Sequence, residues 1–582
     1  MRWPQLLTGL TLGLLLNAPV QAVNEGLAPE HATGWQQAPT VLAEKQLVVS
    51  AHPLATRAGY QVLQQGGSAA DAALAIQAML TLVEPQSSGI GGGAFMLYWD
   101  ANKRRLQAFD GRETAPAQAN ETLFLQPDGA PMRWHDALVG ARSVGTPGVL
   151  RMLEQVHRQH GRLPWAQPFT PAIRQAETGF KVTPRLHQLI ASGINPGLER
   201  YHASRSYFYT PTGEPLPVGH LRRNPALAES LRLIAQKGAD AFYSGPLAEQ
   251  IIAALAQAED NPGTLTRQDL ANYRAIERQP LCRPYRAWQI CGFPPPTSGG
   301  VTLLQILGLL EPFELKPNTQ GPDLPFSHLL TQASRLAYAD RARYLADSDF
   351  VEVPVDALLA PDYLRQRSGL INPQQDMGQA QAGNPAKLNR ADDQAPELPS
   401  TSHFVVRDAQ GNLVSMTTSI EMAFGSTLMA GGFLLNNQLT DFSFVPKTDG
   451  HPVANRVQPG KRPRSSMAPV IVLDAEGEPI AALGSPGGSR IINYVAQTLL
   501  LMLHTEQPLQ ALLQQGHVSN RNGDTELEQG SNAEALQAEL EAMGHRIRVR
   551  ELNSGLHLLR KRADGRWESG VDPRREGMAL GD

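Results

Sequence analysis

The stretch PELPSTSHFVV, residues 396–406, sets three hydroxyl side chains, Ser400, Thr401 and Ser402, against His403 and a β-branched run. Taken alone it reads as a turn feeding a strand, because Ser and Thr bond their own backbone at such places. Its surroundings change that reading. Residues from about 372 to 400 are rich in Gln, Ala, Pro, Asn and Asp and hold almost no large apolar side chain. Such a composition cannot bury enough surface to hold a fixed fold, so the segment reads as a mobile polar tether, long for a compact protein. Beyond it the runs SHFVVRD, GNLVSMTTSI, GGFLLNN, MAPVIVLD and PIAALGS are strand-like, with polar turns between them. A tether ending at a hydroxyl cluster that opens a sheet makes Thr401 a candidate N-terminal nucleophile. Freed at its amino end, it would supply both a nucleophilic hydroxyl and, in its α-amino group, the base. That amine titrates near about 7.7–8.0 in model peptides, within reach of neutral pH. Release requires a break between Ser400 and Thr401. The threonine hydroxyl can make it by attacking the preceding carbonyl, giving an ester that water opens.

Composition narrows the field. At 582 residues with 42% hydrophobic and 18% charged side chains, the chain can bury a large core. A net charge of −4, with no long basic run, gives no reason to expect nucleic acid. The N-terminus, MRWPQLLTGLTLGLLLNAPVQA, has one positive charge at Arg2, an apolar run over 6–16 and small residues ending at Ala22. That is the layout of a signal peptide over residues 1–22, cleaved after Ala22, and the run is too short to span a bilayer. An exported, periplasmic or secreted protein without a stable membrane span is expected. Cys282 and Cys291 flank RPYRAWQI, two short strands around a turn. A disulfide is plausible there in an oxidising compartment, with a pair of buried free thiols as the alternative.

Residues 52–80 read as small-residue helix broken at Gly66-Gly67. SSGIGGGAFMLYW sets a glycine cluster before a strand but lacks the Gly-Lys-Ser/Thr of a phosphate loop, so close backbone approach is the expected use. Residues 144–275 read mainly as helices and loops. His157 and His160 share a helix face with no third ligand in register and are expected at the surface.

Eight motifs then stand in one order: SSGIGGGAFML, DGRETAP, GARSVGTPG, FPPPTSGG, TSHFVV, LLNNQLTDFS, KRPRSSMAP and GSPGGSRII. With them the mature chain resembles the γ-glutamyltransferase family over nearly its whole length. The resemblance implies an α+β fold, the four-layer αββα sandwich of N-terminal-nucleophile hydrolases, formed jointly by two autocleaved subunits. It sets a large subunit at 23–400 and a small one at 401–582. It implies Thr401 as nucleophile and Ser419 as the hydroxyl bonded to it. Gly487 and Gly488 would offer backbone N–H groups to the oxyanion, where side chains would obstruct. Arg112 would grip a substrate α-carboxylate, a task suited to a guanidinium fork, with Ser465 and Ser466 adding hydroxyl donors. Gln438 and Asp441 would accept from the α-ammonium. Alone, Arg112 reads as a surface ion pair, the two glycines as a turn and the serines as solvated hydroxyls. Their joint order is what favours a site.

Two departures from the family pattern concern specificity. Glu421 stands where Asn is frequent, and is expected to add a second negative charge beside Asp441, favouring a charged amine; the alternative is that the longer side chain fills the pocket and changes the acyl group accepted. The stretch 442–464 is shorter than in members that close a lid, which implies a more open cleft, with Arg464 an added cation near the carboxylate clamp. The sequence thus implies an exported, self-processing enzyme that cleaves γ-glutamyl amides such as glutathione. The acyl group would pass through an ester to water, amino acids or short peptides, with no metal or organic cofactor required. The alternatives are an acylase acting on N-acyl amides such as β-lactam side chains, and a non-catalytic binding protein on the same scaffold.

Overall fold

A computed structural model describes residues 30, 32–318, 322–395 and 400–582. The expected signal peptide, 1–22, lies outside the described residues. The strand Ser402–Arg407 shows how the layers arise. Its side chains alternate between faces, as the strand period dictates. Phe404 and Val406 enter one core with the alanine-rich helices, whereas Val405 enters a second core with Ile471, Leu483 and Leu559 of another sheet. A strand buried on both faces requires cover on both sides, and the result is helix, sheet, sheet, helix.

The sheet carrying Thr401 has seven strands, in the order Met578–Gly581, Leu47–Ser50, Ser402–Arg407, Leu413–Ser419, Gly93–Asp100, Arg105–Gly111 and Ile276–Arg278. The other also has seven and includes Pro479–Gly484 and His557–Lys561. Strands from both sides of residue 401 interleave in each sheet, so neither part of the chain forms a complete sheet alone. The sheets meet closely. Ser415 donates to Leu483 O at 3.1 Å, and a Cβ on Gly484 would lie 2.3 Å from the His403 ring.

The helices Pro53–Gln64 and Ala69–Val83 break at Gly66-Gly67, as the sequence indicates, and Ser68 with Asp71 forms a capping box that starts the second. On the opposite face lie Gly299–Leu310, Leu324–Tyr344 and Ile491–His504. Cys282 and Cys291 face each other across an antiparallel pair and are bonded.

Two sequence expectations are corrected. His157 and His160 are not surface residues: His157 sits against Asp71 and Leu163 O, and His160 stacks on Tyr98 with centroids 4.1 Å apart. Residues 372–395 are not an unattached tether either. His328 bonds Asn372 O, Arg335 and Gln332 hold the Asp376 carboxylate, and Arg343 pairs with Asp392. Charge pairs and hydrogen bonds to distant residues fix this segment, helped by the few small or flexible apolar side chains Met377, Ala380, Ala382 and Leu388 that reach the second core, and composition does not report these partners.

Candidate active site

Thr401 sits one residue before its strand, opposite Ser419 at the end of Leu413–Ser419, because Ser402 pairs with Thr418. Both are nearly fully buried. The Thr401 hydroxyl lies 3.4 Å from Ser419 Oγ, and Ser419 Oγ donates to Ser400 O at 2.8 Å. One hydroxyl therefore touches the candidate nucleophile and also the carbonyl that nucleophile would attack. Ser419 is set from below by the glycine cluster: a Cβ on Gly92 would fall 2.1 Å from Ser419 O. Arg575 Nη1 donates to Thr401 O at 3.1 Å.

A small cavity of about 30 Å³ gathers Arg112, Thr401, Ser419, Glu421, Gln438, Asp441, Ser465, Ser466 and Gly488. Seven of these nine residues come from five separate motifs, and Ser419 and Glu421 come from the end of the strand Leu413–Ser419 and the turn after it. Gly487 is not in its wall but opens the turn behind it, at φ 136°, and Gly488 follows at φ 59°. A Cβ on Gly487 would lie 2.7 Å from the Tyr494 ring. The turn runs into the helix Ile491–His504, and the leading N–H groups of a helix have no partners within it. Gly488 and Ile491 set that helix start at the cavity wall.

Arg112 is fully buried and its fork is already engaged. Nε donates to Pro463 O at 3.1 Å, and Nη2 donates to Arg464 O at 2.9 Å and to Asp441 Oδ2 at 2.5 Å. Gln438 Nε2 donates to the same Asp441 oxygen at 2.8 Å. The residues expected at opposite ends of an amino-acid head group are thus paired with each other. The expected hydroxyl donors are engaged too: Ser465 Oγ accepts from Met467 N, and Ser466 Oγ accepts from Arg341 at 2.7 Å.

Three site features went unread in the sequence or differ from it. Glu113, next to Arg112 in DGRETAP, is buried with neither oxygen hydrogen-bonded, and 3.7 Å from Arg112 Nη1. Burial pushes its carboxyl up to about 8 against the pull of Arg112. Glu421 lies in the cavity wall with its carboxyl held against ionisation. Burial, and then the charge of Asp441, raise its carboxyl well above the ordinary range, while Asn437 Nδ2 donates to it at 2.5 Å. It also adopts φ 79°, a strained backbone for a non-glycine residue that holds the carboxyl at the cavity wall. Arg464, expected as an added cation, has a counter-charge of its own. Asp393 pairs with Arg464 at 3.1 Å and accepts from Asn455, seating residues 391–395 against that stretch, so Arg464 is neutralised there.

The gamma-glutamyltranspeptidase family model matches residues 55–582. The chain belongs to the gamma-glutamyltranspeptidase family. A glutathione hydrolase proenzyme of Bacillus subtilis (strain 168) is 36% identical, covering 100% of this chain and 98% of its own. Proteins named acylases are also among its relatives. An acylase ACY 1 proenzyme of Pseudomonas sp. (strain SE83) is 34% identical over 94% of this chain and 95% of its own. Among solved structures, cephalosporin acylase from Bacillus halodurans superposes with a TM-score of 0.82 at 27% identity, covering 94% of this chain and 97% of that one. The fold is therefore the αββα sandwich of the N-terminal-nucleophile hydrolases.

Proposed function

We propose that this chain is an exported, self-processing γ-glutamyltransferase and hydrolase with Thr401 as nucleophile. In the precursor, Thr401 Oγ attacks the Ser400 carbonyl carbon while Ser419 polarises its oxygen. The C–N bond breaks, the nitrogen takes the hydroxyl proton, and Ser400 is left as an ester on Thr401. Water opens the ester to a Ser400 carboxylate and the regenerated Thr401 hydroxyl, beside the amine that the first step freed. The products are a large subunit of 23–400 and a small subunit of 401–582, held together by their shared sheets. In turnover the Thr401 amine accepts the hydroxyl proton as Oγ attacks the γ-amide, and passes it to the leaving amine. N–H groups at Gly487 and Gly488 stabilise the oxyanion. Water, an amino acid or a short peptide then takes the γ-glutamyl group, and relatives named glutathione hydrolase support glutathione as a donor. The Cys282–Cys291 disulfide supports an exported, periplasmic site of action, and no helix among the described residues is long and apolar enough to cross a membrane.

The buried Arg112–Asp441 pair in the wall of the Thr401 cavity carries the substrate reading. An amino-acid head group brings a carboxylate for Arg112 and an ammonium for Asp441, so one internal ion pair is exchanged for two. A glutaryl group satisfies Arg112 alone and leaves Asp441 buried without a cation, which is costly. The likeness to cephalosporin acylase favours N-acyl amide cleavage as the second reading. Purified enzyme assayed on matched γ-glutamyl and glutaryl anilides separates the two. A kcat/KM at least 100-fold higher for the γ-glutamyl anilide is expected, and a preference for glutaryl would overturn the assignment.

A further inference from the structure

The chain on either side of the Ser400–Thr401 bond is held by a buried ionic cluster whose own side chains do not line the substrate cavity. Glu30 pairs with Arg185 and lies 3.2 Å from Arg575, while Arg185 lies 3.5 Å from Glu84. All four side chains are essentially solvent-free. Three consecutive residues rest on this cluster. The Ser400 hydroxyl donates to Gln86 O at 2.8 Å and lies beside the Glu30 carboxylate. The Thr401 carbonyl accepts from Arg575 at 3.1 Å, and the Ser402 hydroxyl donates to Glu84 at 3.0 Å.

The members come from remote parts of the sequence. Glu30 precedes the first strand, Arg185 begins a helix in the middle of the chain, and Arg575 lies just before the C-terminal strand Met578–Gly581. We infer that Glu30 is a positioning residue for self-cleavage: by neutralising Arg185 and Arg575 together it keeps Arg575 on the Thr401 carbonyl, so that the bond is cut only after both ends of the chain have docked. This rests on the self-processing reading above and assigns Glu30 no part in turnover.

Electrostatics give the cluster its logic. Burial works to raise the Glu30 carboxyl, but Arg185 and Arg575 together hold it below its ordinary value, so it carries the compensating charge. Burial pushes the Glu84 carboxyl up, which makes it the weaker counter-ion. Arg575 is pulled down to about 10, by burial first and by the charge of Arg185 next, with Glu30 opposing both. Without Glu30, the two buried guanidinium groups repel with only Glu84, the weaker counter-ion, and Asp572 beside them. Arg575 is then driven off Thr401 O, and the attacking hydroxyl loses its alignment with the Ser400 carbonyl. Misplacement of reacting groups by about 1 Å costs about 100-fold in rate.

The test is a pulse-chase of the full-length chain in expressing cells, read on denaturing gels and by intact mass. Wild type, Thr401→Ala, Glu30→Ala, Glu30→Gln and Glu30→Asp are compared, and kcat/KM is measured on whatever two-chain enzyme accumulates. Glu30→Ala and the isosteric Glu30→Gln are expected to lengthen the precursor half-life at least tenfold. Glu30→Asp should recover part of the rate. Two-chain enzyme from each should keep kcat/KM within about twofold of wild type, a split that general loss of structure does not produce. If Glu30→Ala fails to fold, Glu30→Gln, which keeps shape and removes charge, decides alone. Cleavage of Glu30→Gln at the wild-type rate overturns the inference, as does a parallel fall in cleavage and kcat/KM. A wild-type chain that stays uncut overturns the self-processing reading itself, a result distinct from either.

Discussion

Replacing Asp441 by Asn tests substrate assignment and fold together. Asp441 meets Arg112 at 2.5 Å, and their side chains are 12% and 1% exposed. Removing one charge from such a pair costs about 3–5 kcal/mol when the other is stranded. Here it is not stranded. Glu113 lies 3.7 Å from Arg112, and its carboxyl is pushed up to about 8 by burial, with Asp441 adding to the rise. With Asp441 neutral that contribution disappears, Glu113 ionises more readily, and Arg112 keeps a counter-charge. The variant should therefore fold. The loss falls on the substrate, because a hydrogen bond from an ammonium to a charged acceptor contributes about 1.5–3 kcal/mol. That corresponds to a drop of about 10- to 150-fold in kcat/KM for a γ-glutamyl anilide. A glutaryl anilide offers nothing to Asp441 and in wild type sets its carboxylate near a second one, so its kcat/KM should hold or rise. Steady-state kinetics on the two anilides gives the ratio directly. Equal losses on both substrates, or none on the γ-glutamyl one, would refute the exchange of an internal ion pair for a zwitterion.

Ser419→Ala removes the donor to Ser400 O, and a pulse-chase should show self-cleavage slowed by about 100-fold, in line with loss of one oxyanion donor. Gly487→Ala forces a side chain onto φ 136° and within 2.7 Å of Tyr494, so about 1–3 kcal/mol of stability and at least tenfold in kcat should be lost. KM should change little, since the Arg112–Asp441 pair is untouched, and thermal unfolding with kinetics reads both effects. Because the Glu421 carboxyl sits well above its ordinary value, it is neutral on the acid side and ionises as pH rises. The ionised form attracts the donor ammonium, so kcat/KM should climb with pH through that transition, and Glu421→Gln should flatten the climb.

The strands around Thr401 were legible because Phe404, Val405 and Val406 form a short aromatic and β-branched run bounded by polar turns, and the helix break because Gly66-Gly67 punctuates the alanine run. The cavity residues were legible because motifs mark where backbone and polar groups must converge. What escaped were partners far apart in sequence. Asp376 with Arg335, and Asp393 with Arg464, order a segment whose composition alone indicates a tether. His160 is hidden by Tyr98, and the raised carboxyl of Glu421 follows from burial that no local pattern reports. Glu30 lies hundreds of residues from the bond it flanks.

The central claim is that Thr401 cuts its own chain and then works from its new N-terminus. Intact mass under denaturing conditions, with N-terminal sequencing of each species, tests it most directly in wild type and Thr401→Ala. Two wild-type chains, the smaller beginning Thr-Ser-His-Phe, beside an uncut Thr401→Ala chain, are the predicted result. A single uncut wild-type chain that still turns over γ-glutamyl amides would contradict it.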